Sequence, residues 1–223
     1  KNNQIFQIAK KNKLKVLEDN CESVGGKYKN KFLGTLGNVG VFSLDFGKFI
    51  TTGEGGIVLT NNKKYYKFMK EYHDHGHENN PKLSRGEDTK TIAGFNYRMT
   101  ELQAVIGKEQ LKRTGYILKE NYKRYQVLNK YLSVKFKLRE IPKNSQSNYD
   151  TFIFYVKKYE KEKILKSIKN SNFGTKNLPD AIKWHCSYYW DHVFNKKEIQ
   201  SSKKTLNLLK TSIAIPIFLK RSL

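Results

Sequence analysis

Apolar residues recur along this chain with two periods, and where the period changes an element ends. Ile5, Phe6, Ile8 and Ala9 are spaced as one face of a helix over 3–12. No cap precedes them, so the chain reads as beginning partway into a domain. Asn12-Lys13 turns the chain into 14–19, a short strand that closes on Glu18 and Asp19. Helix, short turn and a strand with a carboxylate at its C-terminal end make the α/β pattern, in which ligands gather at strand ends. Asp19 is therefore a site candidate, although aspartate also serves as a plain turn cap. Gly25-Gly26 and the glycines between 34 and 40 punctuate a turn-rich stretch before an apolar strand over 39–44. The glycine-rich 52–56 gives way to a second buried strand over 57–60, and Asn61-Asn62 opens a polar helix to about Tyr72.

A long helix follows, with Thr100 as its N-cap and Glu101 in its first turn. Met99, Leu102, Val105 and Ile106 follow helical spacing and should face a core. Past a break near Thr114-Gly115 the pattern resumes through 116–131, as a connector between a larger and a smaller domain would. From Asn148 the texture changes to a strand over 151–156, an amphipathic helix over 160–169, an aromatic stretch, a lysine-rich helix and a closing strand over 213–217. That is a small α+β domain. The predicted organisation is 1–115 for the large domain, 116–147 for the connecting helix and linker, and 148–223 for the small domain. The aromatic stretch, with Trp184, His185, Tyr188, Tyr189 and Trp190, reads either as a substrate wall or as a packing surface.

Charge changes this picture less than its size suggests. A net charge of +23 raises the question of nucleic acid. Yet 37 of the 43 basic residues are lysine, whereas bidentate base and phosphate readers favour arginine. The lysines are scattered and often lie beside asparagine, and no recognition helix or stacking signature accompanies them. Aromatic residues at 13% argue against disorder. Cys21 and Cys186 lie far apart, outside any metal-ligand spacing, which fits a reduced, cytoplasmic protein. Neither a signal peptide nor an apolar run near 20 residues is visible, so no membrane span is expected.

The candidate chemistry gathers at Phe42-Ser43-Leu44-Asp45-Phe46-Gly47-Lys48 and the Thr51-Thr52-Gly53-Glu54-Gly55-Gly56 that follows. Lys48 stands where a buried strand ends, beside small residues that let a ligand approach the backbone. A lysine so held can lose its proton at neutral pH and form a Schiff base with a carbonyl cofactor. The plainer reading is one more solvated lysine ahead of a loop. No Gly-Lys-Ser/Thr follows the glycines, which excludes a P-loop. His73, His75 and His77 would share one face of a strand and could ligate a metal. Gly76 and Asn79-Asn80-Pro81 instead describe an irregular loop, so no metal is expected.

Taken together, three segments resemble the DegT/DnrJ/StrS family of pyridoxal-phosphate-dependent sugar aminotransferases. Glu18-Asp19-Asn20-Cys21-Glu22 is similar to the family's Glu-Asp-Ala-Ala-Gln stretch. The run from Phe42 through Lys48 to Gly56 resembles its lysine motif, and Gly94-Phe95-Asn96-Tyr97-Arg98-Met99 with Glu101-Leu102-Gln103-Ala104 resembles its long-helix entry. The resemblance spans nearly the whole chain and is weakest beyond residue 115. It implies the α/β, fold-type-I transferase architecture, here as a partial large domain with a mostly parallel sheet plus the small C-terminal α+β domain.

By that resemblance, Lys48 would hold pyridoxal 5′-phosphate covalently and later shuttle a proton between cofactor and substrate. Asp19 would pair with the pyridinium nitrogen, and Ser43 would bond the phosphate. Asn96 would reach the phosphate of a neighbouring subunit, making a homodimer with a shared active site. Glu22 stands where the family has glutamine near the cofactor's phenolic oxygen; a carboxylate there would repel that oxygen unless protonated or turned away. Relatives that dehydrate sugars carry histidine at the lysine position, so Lys48 argues for transamination. The implied substrates are glutamate as amino donor and, as acceptor, a Kdo-type sugar acid or a nucleotide-linked keto sugar, in surface polysaccharide (lipopolysaccharide) biosynthesis. The segments 73–81 and 174–180 with Trp184-His185 look similar to the Kdo branch, which tips the expectation toward the sugar acid although nucleotide-linked keto sugars are the family's commoner acceptors. Family members carry well over a hundred residues ahead of the point where this chain starts, so it reads as N-terminally truncated. A non-catalytic relative acting as a partner subunit is the alternative.

Overall fold

A computed structural model describes residues 2–219. In chain order the elements are α1 (Asn2–Lys11), β1 (Leu17–Asp19), β2 (Lys27–Tyr28), β3 (Lys31–Phe32), β4 (Val39–Ser43), β5 (Gly56–Leu59), α2 (Lys63–Tyr72) and α3 (Glu101–Leu132). They continue as β6 (Lys137–Leu138), β7 (Ser145–Gln146), β8 (Thr151–Tyr155), α4 (Lys161–Asn170), α5 (Ile182–His185), α6 (Lys196–Ser201), α7 (Lys203–Lys210) and β9 (Ser212–Pro216). Two compact units divide the chain, one running to Gly115 with Lys143–Asn148, the other comprising Tyr116–Pro142 and Tyr149 onward.

Within the first unit, β1, β4 and β5 form a sheet in the order β1-β4-β5. Strands β1 and β4 run parallel with Leu17, Glu18 and Asp19 opposite Val39, Gly40 and Val41. Among the described residues the other strand pairs are antiparallel: β4 with β5, β2 with β3 and β7, and β8 with β6 and β9. The expectation of a mostly parallel sheet therefore fails. Parallel neighbours need a connection that brings the chain back to the same end of the sheet, as residues 20–38 do between β1 and β4. The chain leaving β4 instead turns back through 44–55, anchored by buried Leu44 and Ile50, and must return antiparallel.

Local chemistry explains the helix ends. The Asn62 side chain accepts from the backbone N–H groups of Lys64 and Tyr65 at 2.9 and 3.1 Å, capping α2. At the start of α3, Thr100 and Gln103 cap each other: the Gln103 N–H donates to Thr100 Oγ1 at 3.3 Å and the Thr100 N–H to Gln103 Oε1 at 3.0 Å. The expected break at Thr114-Gly115 is absent. Thr114 Oγ1 donates back to the Gln110 carbonyl at 3.3 Å, and one glycine costs a helix only about 1 kcal/mol relative to alanine. The two units nevertheless part at this glycine.

The expected core face of α3 is not a core face in its first turns. Leu102, Val105 and Ile106 are 80%, 60% and 48% exposed. Their spacing correctly marks a helix, but nothing among the described residues covers that stripe. In the second unit, Tyr125, Phe152, Phe154 and Ile213 form a real core against which Leu128 and Leu132 of α3 and Ile164 and Ile168 of α4 pack. The aromatic stretch divides. Tyr188 and Tyr189 pack on a smaller cluster of Ile182, Cys186 and Leu206, whereas Trp184 is 78% exposed.

Candidate active site

The parallel pair β1 and β4 ends on one side in Asp19 and Ser43, the side where open α/β sheets bind ligands. Successive residues of a strand face opposite ways. Glu18 turns to one side, where its carboxylate accepts three backbone N–H groups from the turn before β4: Gly34 at 3.0 Å, Leu36 at 2.7 Å and Gly37 at 2.6 Å. The packing of that turn against β4 requires glycine on both sides. Gly34 has φ +85°, and a Cβ on Gly40 would stand 2.1 Å from the Gly34 carbonyl oxygen.

Asp19, on the next position, is exposed and accepts the Cys21 N–H at 3.1 Å. The Cys21 thiol and N–H bonds, aided by the charge of Lys48, hold the Asp19 carboxyl below the usual aspartate range. Burial, with Asp19 beside it, pushes the Cys21 thiol up. Buried Asn20 nucleates the turn that follows: its Oδ1 accepts from Ser23 Oγ at 3.0 Å, and its backbone carbonyl from the Ser23 N–H at 3.0 Å. This tight turn lifts Glu22 toward the loop after β4.

That loop is pinned on either side of Lys48. The Leu44 N–H donates to the Gly55 carbonyl at 2.9 Å, the Thr52 N–H to the Leu44 carbonyl at 2.9 Å, and the Lys48 N–H to the Asp45 carbonyl at 3.0 Å. The Lys48 side chain is 19% exposed and its ammonium donates to Glu22 Oε1. This bond raises the Lys48 pKa above the ordinary lysine value against the opposing effect of partial burial, and Asp45 and Cys21 add to the rise. Ser43 Oγ accepts the Asp45 N–H at 3.3 Å and still carries a proton to donate.

Four of the five predicted site residues thus lie on β1, β4 and the turns that leave them, with Lys48 and Glu22 in direct contact. Asn96 belongs to another network. Its backbone bridges Asp74, and its Oδ1 accepts from Arg98 Nε at 3.1 Å. Asp74 is held there by Arg85, whose two terminal nitrogens donate at 2.9 and 2.6 Å, and its pKa falls to about 2, chiefly through those bonds. The three histidines do not line a strand face. His73 ends α2, His75 has φ +55°, and His77 Nδ1 lies 3.3 Å from Asp88. Among the described residues no group of three metal-ligating side chains comes together, and no helix is long and apolar enough to cross a membrane.

Sequence reasoning passed over Glu18 and Cys21 as individual actors. The signal for Cys21 was present, because an aspartate commonly accepts the N–H two residues on. Glu18 had no local signal, since its three donors lie beyond two further strands.

Comparison with known proteins bears on the family and the fold. The chain is 40% identical over 110 residues to GDP-perosamine synthase of Escherichia coli O157:H7, an alignment covering 49% of this chain and 29% of the relative. It is 27% identical over 222 residues to the UDP-4-amino-4,6-dideoxy-N-acetyl-beta-L-altrosamine transaminase of Campylobacter jejuni, covering 96% of this chain and 56% of that protein. The solved aminotransferase of Psychrobacter cryohalolentis superposes with a TM-score of 0.74 at 25% identity, covering 95% of this chain and 58% of that one. The chain therefore spans little more than half the length of these relatives even where the match is longest. The family model for DegT/DnrJ/EryC1/StrS aminotransferases matches residues 3–221, and the chain belongs to that family.

Proposed function

We propose that this chain carries the lysine-bearing part of a pyridoxal-phosphate-dependent sugar aminotransferase, which passes an amino group from glutamate to a nucleotide-linked keto sugar in surface polysaccharide biosynthesis. The observation that carries the reading is the placement of a sheltered amine, a carboxylate and a hydroxyl on the ends of two parallel strands and the turns that leave them. Those groups fit the cofactor, which needs an amine for its carbonyl carbon, an anion for its ring nitrogen and donors for its phosphate. The family uses pyridoxal 5′-phosphate, and when bound it supplies an electron-accepting ring for the pair left as a C–H proton departs.

The residues divide the work. Asp19, kept ionised by the Cys21 donors, would hold the ring nitrogen protonated. Ser43 would donate its hydroxyl proton to a phosphate oxygen. Lys48 would bind the carbonyl carbon through Nζ and, once released from it, carry a proton between neighbouring carbons. Asn96 would serve the phosphate site of a second subunit in a homodimer. The first unit would belong to the cofactor-binding domain and the second unit would be the small domain. The GDP- and UDP-linked sugars in the relatives' names favour a nucleotide-linked acceptor over a free sugar acid.

Adding pyridoxal 5′-phosphate to the purified chain, reducing with borohydride and mapping peptides tests the assignment. The label is expected on Lys48, with a visible absorbance band that glutamate bleaches, and Lys48→Ala should lose both. Label spread over exposed lysines, with Lys48 unmodified, would overturn it.

A further inference from the structure

The contact between Lys48 and Glu22 is one-sided. Lys48 is 19% exposed in its side chain, and Glu22 is 58% exposed. The amine projects from the loop pinned at Leu44 and Thr52, whereas the Glu22 side chain already lies mostly in water and can rotate fully into it. The groups that act most strongly on Lys48 are acids and a thiol: Glu22 and Cys21 from the turn after β1 and Asp45 from the turn after β4, with Asp19 at the end of β1 within reach of its charge. Lysines that work as free amines have their protons driven off by apolar burial or by a second cation. Here the surroundings do the reverse, and the residue in direct contact is also the one best placed to leave.

We propose that Glu22 is a positioning residue that latches Lys48: it holds the amine as an ammonium, aimed from its loop, until the carboxylate swings into solvent. The latch rests on the reading of Lys48 as the cofactor lysine only for its purpose; the ion pair is a property of this chain by itself. It also gives Glu22 a role that needs no contact with a phenolic oxygen. An incoming aldehyde that carries a phosphate would repel Glu22 outward, so arrival of the ligand and release of the amine would be coupled. The raised Lys48 pKa is the expected companion of such a pair.

Competitive labelling with trace acetic anhydride across the alkaline range, read by mass spectrometry on the Lys48 peptide against that of exposed Lys108, tests the latch without any cofactor. Partly exposed ion pairs contribute up to about 1 kcal/mol, which is roughly fivefold in the fraction of free amine. Glu22→Gln should therefore raise Lys48 reactivity about two- to fivefold at a fixed pH below its midpoint, relative to Lys108. High salt should do part of the same in the unmodified chain, giving a reading that needs no variant. Identical Lys48 profiles in the unmodified chain and Glu22→Gln, with no effect of salt, would overturn the latch. The borohydride experiment separates the two ideas. Trapping on Lys48 with unchanged labelling profiles removes the latch and keeps the cofactor lysine. A shifted profile without trapping keeps the latch and removes the cofactor lysine.

Discussion

Replacing Glu18 by glutamine changes one atom and should loosen the whole base of the site. In the native chain both carboxylate oxygens are used: Oε2 takes the Gly34 N–H at 3.0 Å, and Oε1 takes those of Leu36 and Gly37 at 2.7 and 2.6 Å. The glutamine oxygen can inherit the Oε1 pair, but as a neutral acceptor with weaker bonds. Its NH2 then faces the Gly34 N–H, donor against donor, and Gly34 cannot escape because its backbone lies against Gly40 and the Phe42 ring. One lost bond with an unpaired donor costs about 1–3 kcal/mol and the weakening of two more adds to it. A local destabilisation of about 2 kcal/mol is the central expectation, and Glu18→Ala should reach about 2–4 kcal/mol, since all three donors then turn to water.

Amide hydrogen exchange resolves this better than a global melt, because a chain of two units need not unfold in one step. About 2 kcal/mol corresponds to roughly 30-fold faster exchange at Gly34, Leu36 and Gly37. The amides of Phe152 and Ile213, in the core of the second unit, serve as the internal reference. Exchange at the turn unchanged within a factor of two, in a variant that remains folded, would refute the reasoning.

Phe152 is fully buried and its ring lies 4.9 Å from that of Tyr125, so Phe152→Ala should cost about 3–5 kcal/mol. Trp184 and Trp190 both belong to the second unit, and tryptophan fluorescence during denaturant unfolding reports the loss there; a midpoint like that of the parent chain counts against the core assignment. Asp74 offers a pH test. Its carboxyl is held at about 2 by Arg85, below the ordinary 3.8, so its contribution is complete above about pH 4 and fades as pH falls through 2. With half-exposed Arg85 screened by water, that contribution is about 1–2 kcal/mol. Asp74→Asn should lower the thermal midpoint at neutral pH and flatten its fall between pH 4 and 2; an unaltered slope contradicts the pairing.

What the sequence determined by itself is the local order. Helical spacing and caps located α2, α3 and α4, and apolar runs located β4 and β8, because those signals act between residues a few positions apart. The motif around Lys48 and the acid end of β1 pointed to the right family for the same reason. Tertiary structure decided everything that depends on how distant segments return. Among the described residues it made all strand pairs but one antiparallel, gave the carboxylate of Glu18 to a turn beyond two further strands, and brought Glu22 onto Lys48. It also left Leu102, Val105 and Ile106 uncovered on a helix face whose spacing promised a core. Spacing fixes which side of a helix is apolar, but only packing fixes what lies against it, and a carboxylate's partner is set by three-dimensional approach, which no local pattern encodes.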